Sequence, residues 1–401
     1  MRILIVSQYY YPENAKIPTG LAEQLVAKGH EVRVITGYPN YPHGKIFEGY
    51  KQKLRFVETL NGVTVRRVPL FISHSQNAVG RIVNYLSFGF SALGAYRFAR
   101  RAEVVYVYAT QMTAAIGPSW WKRIHGLPYV LHVQDLWPES VTSSSMVTNR
   151  VFQRVLHSLL SWWLNKVYRS SSGVIAIAPK MKSMLANRGA EESKIHVVLN
   201  WADERMVNVR NVPDRAVGLT VTYAGTLGHF QNLDIAIEAA GMVQDLPGFR
   251  LLIVGSGVAE TSLRALGGRN PNVEFRGRVP IEQMGGVYDE SDFLLVSLKD
   301  LPIFSGTIPS KLQGSFAAGV PVIAAVAGDT TEMVENSGAG LTCVPSDAES
   351  LARVFRKAHS LGAGEKEAMG RRAQAFYKER MSILRGVQEI EAVLLDAALD
   401  G

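Results

Sequence analysis

Residues Phe304-Ser-Gly-Thr-Ile-Pro-Ser-Lys-Leu-Gln-Gly-Ser-Phe-Ala-Ala-Gly-Val-Pro-Val-Ile-Ala324 decide the fold class. The apolar run Phe293 to Leu298 before them has the composition of a strand buried on both faces. Pro309 suits a first helical turn, Gly319 suits a helix end, and Val320 to Val326 reads as the next strand. Strand, loop, helix and strand in that order make a βαβ unit. A helix start carries backbone N–H groups without intrahelical acceptors and a partial positive charge. Ser310 and Lys311 at that start therefore form a candidate diphosphate cradle, the ammonium adding a full charge. The same residues also read as an ordinary βα turn bearing a solvent-exposed lysine.

The pattern repeats outward in both directions. Apolar runs at Ile3 to Val6, Val32 to Ile35, Val104 to Val107, Tyr129 to Val133 and Val174 to Ile177 alternate with helix-length segments, which predicts a parallel sheet covered on both faces. In the first unit, strand Arg2 to Ser7 leads through the loop Gln8 to Pro18 into a helix from Thr19 to Lys28 capped by Gly29. Ligands of such sheets sit beyond the carboxyl ends of the strands, which places Tyr9 to Gly20 at a site edge. After Asn200-Trp-Ala-Asp203 a polar stretch to Gly218 reads as a linker, and strand–helix alternation restarts at Leu219. The chain is thus α/β, two doubly wound Rossmann-like domains over residues 1–200 and 201–365, with a helical tail, 366–401, packing on the body.

The 401 residues carry a formal charge of +8, unevenly spread. Residues 1–200 hold 24 Lys and Arg against 10 Asp and Glu, a balance of +14, whereas residues 201–401 hold 19 against 25, a balance of −6. A basic N-terminal half suits nucleic acid, acidic lipid headgroups or a phosphorylated substrate, or serves solubility alone. Cys343 is the single cysteine, which excludes an internal disulfide or a multi-cysteine metal site and fits a reducing compartment. The N-terminus enters a strand at once without a leader-like apolar region, so a cytoplasmic protein is expected. Val104 to Trp121 contains Gln111, Thr113, Gly117 and Pro118, and Ile82 to Tyr96 is too short, so neither is read as a membrane span.

Thr19-Gly20 with Leu25 and Lys28-Gly-His-Glu-Val-Arg-Val34, Val133-Gln-Asp-Leu-Trp-Pro-Glu139, Asn200-Trp-Ala-Asp203, Pro309-Ser-Lys311 and Ala317-Ala-Gly-Val-Pro-Val-Ile323 together resemble the GT-B glycosyltransferases of family GT4, in its WbuB/WcaI-like branch. That branch is associated with O-antigen and exopolysaccharide assembly. The resemblance implies transfer of a sugar from a nucleotide-diphosphate donor, UDP-linked by expectation, to a lipid-linked or saccharide acceptor. It further implies retention of anomeric configuration, no cofactor and no bound metal, and work at an anionic membrane surface on the inner face of the cell membrane. Carried onto this chain, it assigns Asp135, Gln134 and His132 to the catalytic side. Donor binding falls to Gly20, Gly225, Thr226, Gly255, Gly257, Arg278, Val279, Thr307, Ser310, Lys311 and Gln313.

The resemblance is incomplete at informative places. The two glutamates that most members place near this helix would fall near Gly306 and Gly314, and no Asp or Glu lies between Asp300 and Asp329. Gln313 is one substitute for reading ribose or sugar. The usual Arg and Lys after the first strand of the second domain are also missing, with Thr226 and Gln231 near their places, which leaves Lys311 as the diphosphate cation. The family's sugar-side histidine aligns with Gln134. His132 shares its strand face two residues earlier, although a histidine in an apolar strand also reads as a core residue.

Several motifs carry two readings. Asp135 stands at a strand's carboxyl end as an acceptor-orienting carboxylate or as a helix cap. Gly255-Ser-Gly257 suits close backbone approach to a nucleotide, yet Glu260 replaces the third glycine of a dinucleotide fingerprint, which disfavours an oxidoreductase. Arg276-Gly-Arg-Val279 resembles the base-contacting turn, with Arg278 also readable as a surface charge. Asp289-Glu-Ser-Asp292 reads as a helix end rather than a metal site, while Glu332, in Thr330-Thr-Glu-Met333, resembles a common family position and also reads as a helix cap. The rivals are a GT-B UDP-sugar 2-epimerase, which needs an acidic pair not found here, and a non-catalytic nucleotide or nucleic-acid binding module. No helix-turn-helix, RNP or zinc pattern supports nucleic acid as a partner.

Overall fold

Two parallel sheets organise the computed structural model, which describes residues 1–42, 44–72, 78–138, 150–205, 207 and 218–399. The chain divides into two compact units, Met1–Leu199 with Gly386–Gly401, and Asn200–Arg385.

In the first unit the strands are β1 (Arg2–Val6), β2 (Glu31–Gly37), β3 (Phe56–Leu60), β4 (Val63–Val68), β5 (Val104–Ala109), β6 (Tyr129–Val133), β7 (Gly173–Ala176) and β8 (Ile195–Val197). They lie in the order β3-β4-β2-β1-β5-β6-β7-β8, parallel except for the antiparallel edge pair β3–β4. Ile3 pairs with Val32 on one side and Val104 on the other, so the Val and Ile runs are buried on both faces. The helices are α1 (Lys16–Ala27), α2 (Ala78–Leu93), α3 (Tyr96–Ala99), α4 (Ile116–His125), α5 (Arg150–Ser170) and α6 (Pro179–Ala186). A Cβ on Gly89 would stand 2.5 Å from the Thr113 carbonyl oxygen, so α2 reaches this close contact only through a glycine. No helix among the described residues is long and apolar enough to cross a membrane.

Strands β9 (Leu219–Ala224), β10 (Phe249–Val254), β11 (Val273–Gly277), β12 (Phe293–Ser297), β13 (Val322–Ala325) and β14 (Gly340–Thr342) form the second unit's sheet. Their order is β11-β10-β9-β12-β13-β14, parallel throughout. This is the doubly wound arrangement, whose direction reverses between β9 and β12. Around it lie α7 (Leu233–Gly241), α8 (Glu260–Gly267), α9 (Met284–Asp289), α10 (Ser310–Ala318), α11 (Asp329–Ser337), α12 (Ala348–Ser360) and α13 (Ala363–Phe376). Leu219, Val221, Tyr223, Leu251, Ile253, Phe293 and Leu295 build the main core with Phe355 of α12.

Two expectations need correction. The tail is not one piece: α13 stays with the second unit, where Phe376 packs edge-on to Phe316 of α10, whereas α14 (Ile383–Leu399) belongs to the first unit from Gly386 onward. Val387, Ile390, Val393, Leu394 and Ala397 bury one face of α14, and Glu391 pairs with Lys28 and, at 2.7 Å, with His30. Helix α1 begins at Lys16 rather than Thr19, because Pro18 fits the first turn, where its missing N–H has no partner to lose. Gly20, within the helix on either boundary, is buried. Most of the polar stretch expected as a linker, and Glu139, lie outside the described residues.

Candidate functional site

At the second unit's switch point the loops leaving β9 and β12 meet. Helix α10 starts after Pro309, which offers no side-chain cap, and the first amide to bond back is Leu312, to the Pro309 carbonyl at 3.0 Å. The amides of Ser310 and Lys311 thus stand outside the helical ladder, with Ser310 exposed. Lys311 Nζ lies 4.7 Å from the centre of the Tyr223 ring and has neither a hydrogen bond nor an ion pair among the described residues. Burial lowers its ammonium to about 8.

Gly225 makes room for this lysine. A Cβ there would stand 2.6 Å from Lys311 Cε and 3.0 Å from Nζ, and φ is +146°. Gly225 N–H donates to Val254 O at 2.9 Å, Gly255 N–H to Gly277 O at 2.8 Å and Leu227 N–H to Ser256 O at 3.0 Å, stitching the loops after β9, β10 and β11 into a backbone platform. A Cβ on Gly255 would fall 1.8 Å from the Gly225 oxygen, and one on Gly257 would fall 2.3 Å from the Leu227 oxygen. Thr226 is exposed, and its carbonyl accepts from the Tyr223 hydroxyl at 2.7 Å. Together these residues give a cation, two free amides and a wall without side chains, the chemistry that holds a diphosphate.

The remaining donor-side candidates scatter. Arg278 is exposed, while Val279 packs on Leu252, Val254 and Val287. Arg276 is engaged by Glu274 at 2.8 Å and by Glu290, a structural cluster. Thr307 donates its amide to Phe304 O at 3.0 Å, and its carbonyl accepts from Thr330 Oγ1 at 2.9 Å, which ties the loop to α11. Gln313 is 2% exposed and turned into the protein, its Oε1 without a partner among the described residues. Tyr288, which sequence reasoning missed, stands in a different position: its hydroxyl lies 3.0 Å from where a Cβ on Gly314 would be, one turn beyond Ser310 on the same face of α10. Burial raises its pKa, and among the described residues its hydroxyl has no hydrogen-bond partner. No local signal marks it, since the contact joins α9 to α10 across 26 residues of chain.

Asp289-Glu-Ser-Asp292 closes α9. Asp292 Oδ2 accepts from the Thr220 amide at 2.8 Å and Ser291 Oγ donates to Thr222 Oγ1 at 2.7 Å. Glu332 lies in the first turn of α11. Among the described residues no group of three or more His, Cys, Asp or Glu could hold a metal ion.

In the first unit Asp135 directly follows β6 and Gln134. It is solvent-accessible yet poorly solvated, and desolvation raises its carboxyl to about 6. The neighbouring Tyr108 phenol is raised by burial first and the Asp135 charge second. Gln134 is half-buried and its amide donates to Ala109 O at 3.1 Å, extending the β5–β6 pairing. His132 is a correction to the paired reading: it is fully buried, hydrogen-bonded through Nδ1 to the Tyr106 hydroxyl, and desolvation lowers it to about 3. A neutral core imidazole results. Across the switch point of this sheet, Gln8 Nε2 donates to Asn84 Oδ1 at 2.7 Å and Gln111 Nε2 to Gln8 Oε1 at 2.5 Å. Glu13, also missed, is a buried carboxylate whose Oε1 accepts from the amides of Asn40 and Tyr41, each at 2.8 Å.

The family model for glycosyl transferase 4-like domains matches residues 16–201, and that for group 1 glycosyl transferases matches residues 218–360. The chain is a GT-B glycosyltransferase of family GT4. The transferase is 25% identical to WcaI of Escherichia coli K12, a glycosyl transferase named for colanic acid biosynthesis, over 89% of this chain and 92% of that one. Among solved structures, HepE of Anabaena in complex with UDP is similar over 98% of the transferase and 100% of its own chain, with a TM-score of 0.71 at 16% identity. Sucrose-phosphate synthase of Thermosynechococcus elongatus aligns over 100% of both chains with a TM-score of 0.75 at 14% identity.

Proposed function

We propose that this glycosyltransferase takes a nucleotide-diphosphate sugar, UDP-linked, and transfers the sugar with retention to a lipid-linked or saccharide acceptor during cell-surface polysaccharide assembly, at the cytoplasmic face of the membrane. The carrying observation is Lys311, a half-buried ammonium without an anionic partner among the described residues, held beside helix amides outside the helical ladder at the point where the sheet order reverses. The UDP bound by HepE and the naming of WcaI for colanic acid support the donor and the pathway class.

In this reading Ser310 and Lys311 hold the diphosphate. As the bond from sugar to phosphate breaks, negative charge grows on the leaving oxygen, and a fixed ammonium in a low-dielectric site stabilises that state more than the ground state. No metal has a role in the step we propose. The Tyr288 hydroxyl of α9, facing Gly314 one turn along α10, meets the ribose hydroxyls in place of a carboxylate, while Asp135 and Gln134 serve sugar and acceptor.

The test is release of free UDP from UDP-sugars by purified enzyme with and without lipid-linked acceptors, after a thermal-shift screen of nucleotide sugars chooses the donor. Acceptor-dependent release is the expected result. Conversion of the UDP-sugar to its epimer without any acceptor, or nucleotide binding without turnover, would overturn the proposal.

A further inference from the structure

A concave surface lies in the first unit, and Asp135 is not among the residues that line it. Strands β2, β4 and β3 and helices α2 and α3 enclose a cleft of about 740 Å³. Register puts its sheet side together: Arg33 pairs with Thr64, and Arg66 stands between Ile35 and Val57. Arg33, Arg55, Arg66, Arg97 and Arg101 all line it, and among the described residues no carboxylate does. Glu31 pairs with Arg33 at 3.0 Å, whereas the other four have no ion pair among the described residues.

Five like charges around one cavity repel one another, and among the described residues only Arg33 has a carboxylate partner to offset this. The guanidiniums of Arg33 and Arg66 sit over the Phe98 ring at 5.2 and 6.0 Å, which holds them in place. Arg66 Nε is buried without a hydrogen-bond partner among the described residues, and its pKa is lowered by burial first and by Arg55 second. An unsatisfied planar donor inside a ring of guanidiniums matches a phosphate, which accepts from several forks at once. The apolar part of the cleft selects among phosphates. Leu54 is 80% exposed, Phe90 60% and Val57 54%, all beside the arginines, and Val83, Leu86 and Phe90 leave an exposed stripe at helical spacing along α2. A free phosphate or a nucleotide makes no use of these side chains; acyl chains do.

We propose that this cleft binds the phosphate head of an acidic lipid, the exposed apolar residues at its rim entering the bilayer interface. This deepens the membrane part of the proposed function and rests on it, and it is independent of the donor site.

Flotation with phosphatidylcholine vesicles, with and without phosphatidic acid, tests it. The full-length protein should bind only the acidic vesicles. Arg97→Gln with Arg101→Gln, both exposed and without an ion pair among the described residues, should weaken that binding about 25-fold, roughly five-fold per arginine lost at a lipid surface. The equal charge change Lys45→Gln with Lys51→Gln, outside the cleft, should cost less than about three-fold. Leu54→Ser with Phe90→Ser should weaken vesicle binding and leave binding of inorganic phosphate unchanged. If both charge pairs weaken vesicle binding equally, attraction is diffuse and the cleft assignment falls while the membrane reading survives. Absence of vesicle binding overturns both. Inorganic phosphate that displaces acidic vesicles from the cleft at equal concentration would reassign it to a soluble ligand, and RNA binding lost in Arg97→Gln/Arg101→Gln would reassign it to nucleic acid.

Discussion

Replacing Lys311 with methionine separates a ligand-binding lysine from a structural one, because the two roles predict opposite stability changes. Burial brings this ammonium from an ordinary 10.5 to about 8. That shift corresponds to roughly 3 kcal/mol against the charged form at neutral pH. The folded pKa is depressed, so between about 8 and 10.5 the unfolded chain binds more protons than the native one, and stability rises with pH across that window. Below pH 8 the penalty is present in full. Lys311→Met keeps the length of the side chain over Tyr223 and removes the charge, so the free enzyme should become more stable at pH 7 by about 1 to 3 kcal/mol, after loss of the cation–π contact of about 1 kcal/mol. The gain should vanish above pH 10.5. Turnover should move the other way: an electrostatic contact that strengthens in the transition state costs about 2 to 4 kcal/mol when removed, or about 30- to 1000-fold in kcat/KM. Thermal melting across pH with steady-state kinetics on the same preparation reads both. Near pH 8 the wild type should also take up a fraction of a proton on binding UDP, visible by calorimetry in buffers of different ionisation enthalpy, and the variant should not. A variant that melts earlier yet keeps wild-type kcat/KM would refute the reasoning.

Asp135→Asn should lower kcat far more than UDP affinity. With the wild-type carboxyl at about 6, kcat/KM should fall as pH drops through 6, a limb that the variant loses; equal loss of UDP affinity and turnover would point to donor binding instead. Tyr288→Phe should weaken UDP binding about two- to ten-fold, the worth of one hydrogen bond, and 2′-deoxy-UDP should erase the difference between variant and wild type. Unchanged affinity in titration calorimetry would remove Tyr288 from the ribose. Gly225→Ala puts a methyl group 2.6 Å from Lys311 Cε at a φ of +146°, so UDP affinity should drop at least ten-fold together with a loss of about 1 to 3 kcal/mol in stability. Retention of both in melting and binding assays would show that the loop yields more easily than its geometry implies.

How much of this was legible in the chain depends on the range of the physical signal. Strand runs such as Ile3 to Val6 and Phe293 to Ser297, the glycine end of α10 and the proline at its start are local patterns, readable because burial on both faces and helix termination act within a few residues. The family resemblance rested on such stretches, and the helix start by itself pointed to Ser310 and Lys311. Its limits are equally physical. Whether Lys311 faces water or a pocket depends on Gly225, 86 residues earlier, and on the Tyr223 ring beneath the ammonium. His132 and Gln134 share a strand parity, but Tyr106 on the neighbouring strand holds only His132 in the core. Tyr288 meets Gly314 because α9 and α10 pack together, and the five arginines meet because β2, β4 and α3 bring distant residues to one cavity. The sequence by itself determined the elements and the α/β class, since these follow from local periodicity. Only the tertiary structure decided which charges end up buried, paired or lining a cleft, because desolvation and Coulomb interactions depend on neighbours that chain order does not reveal.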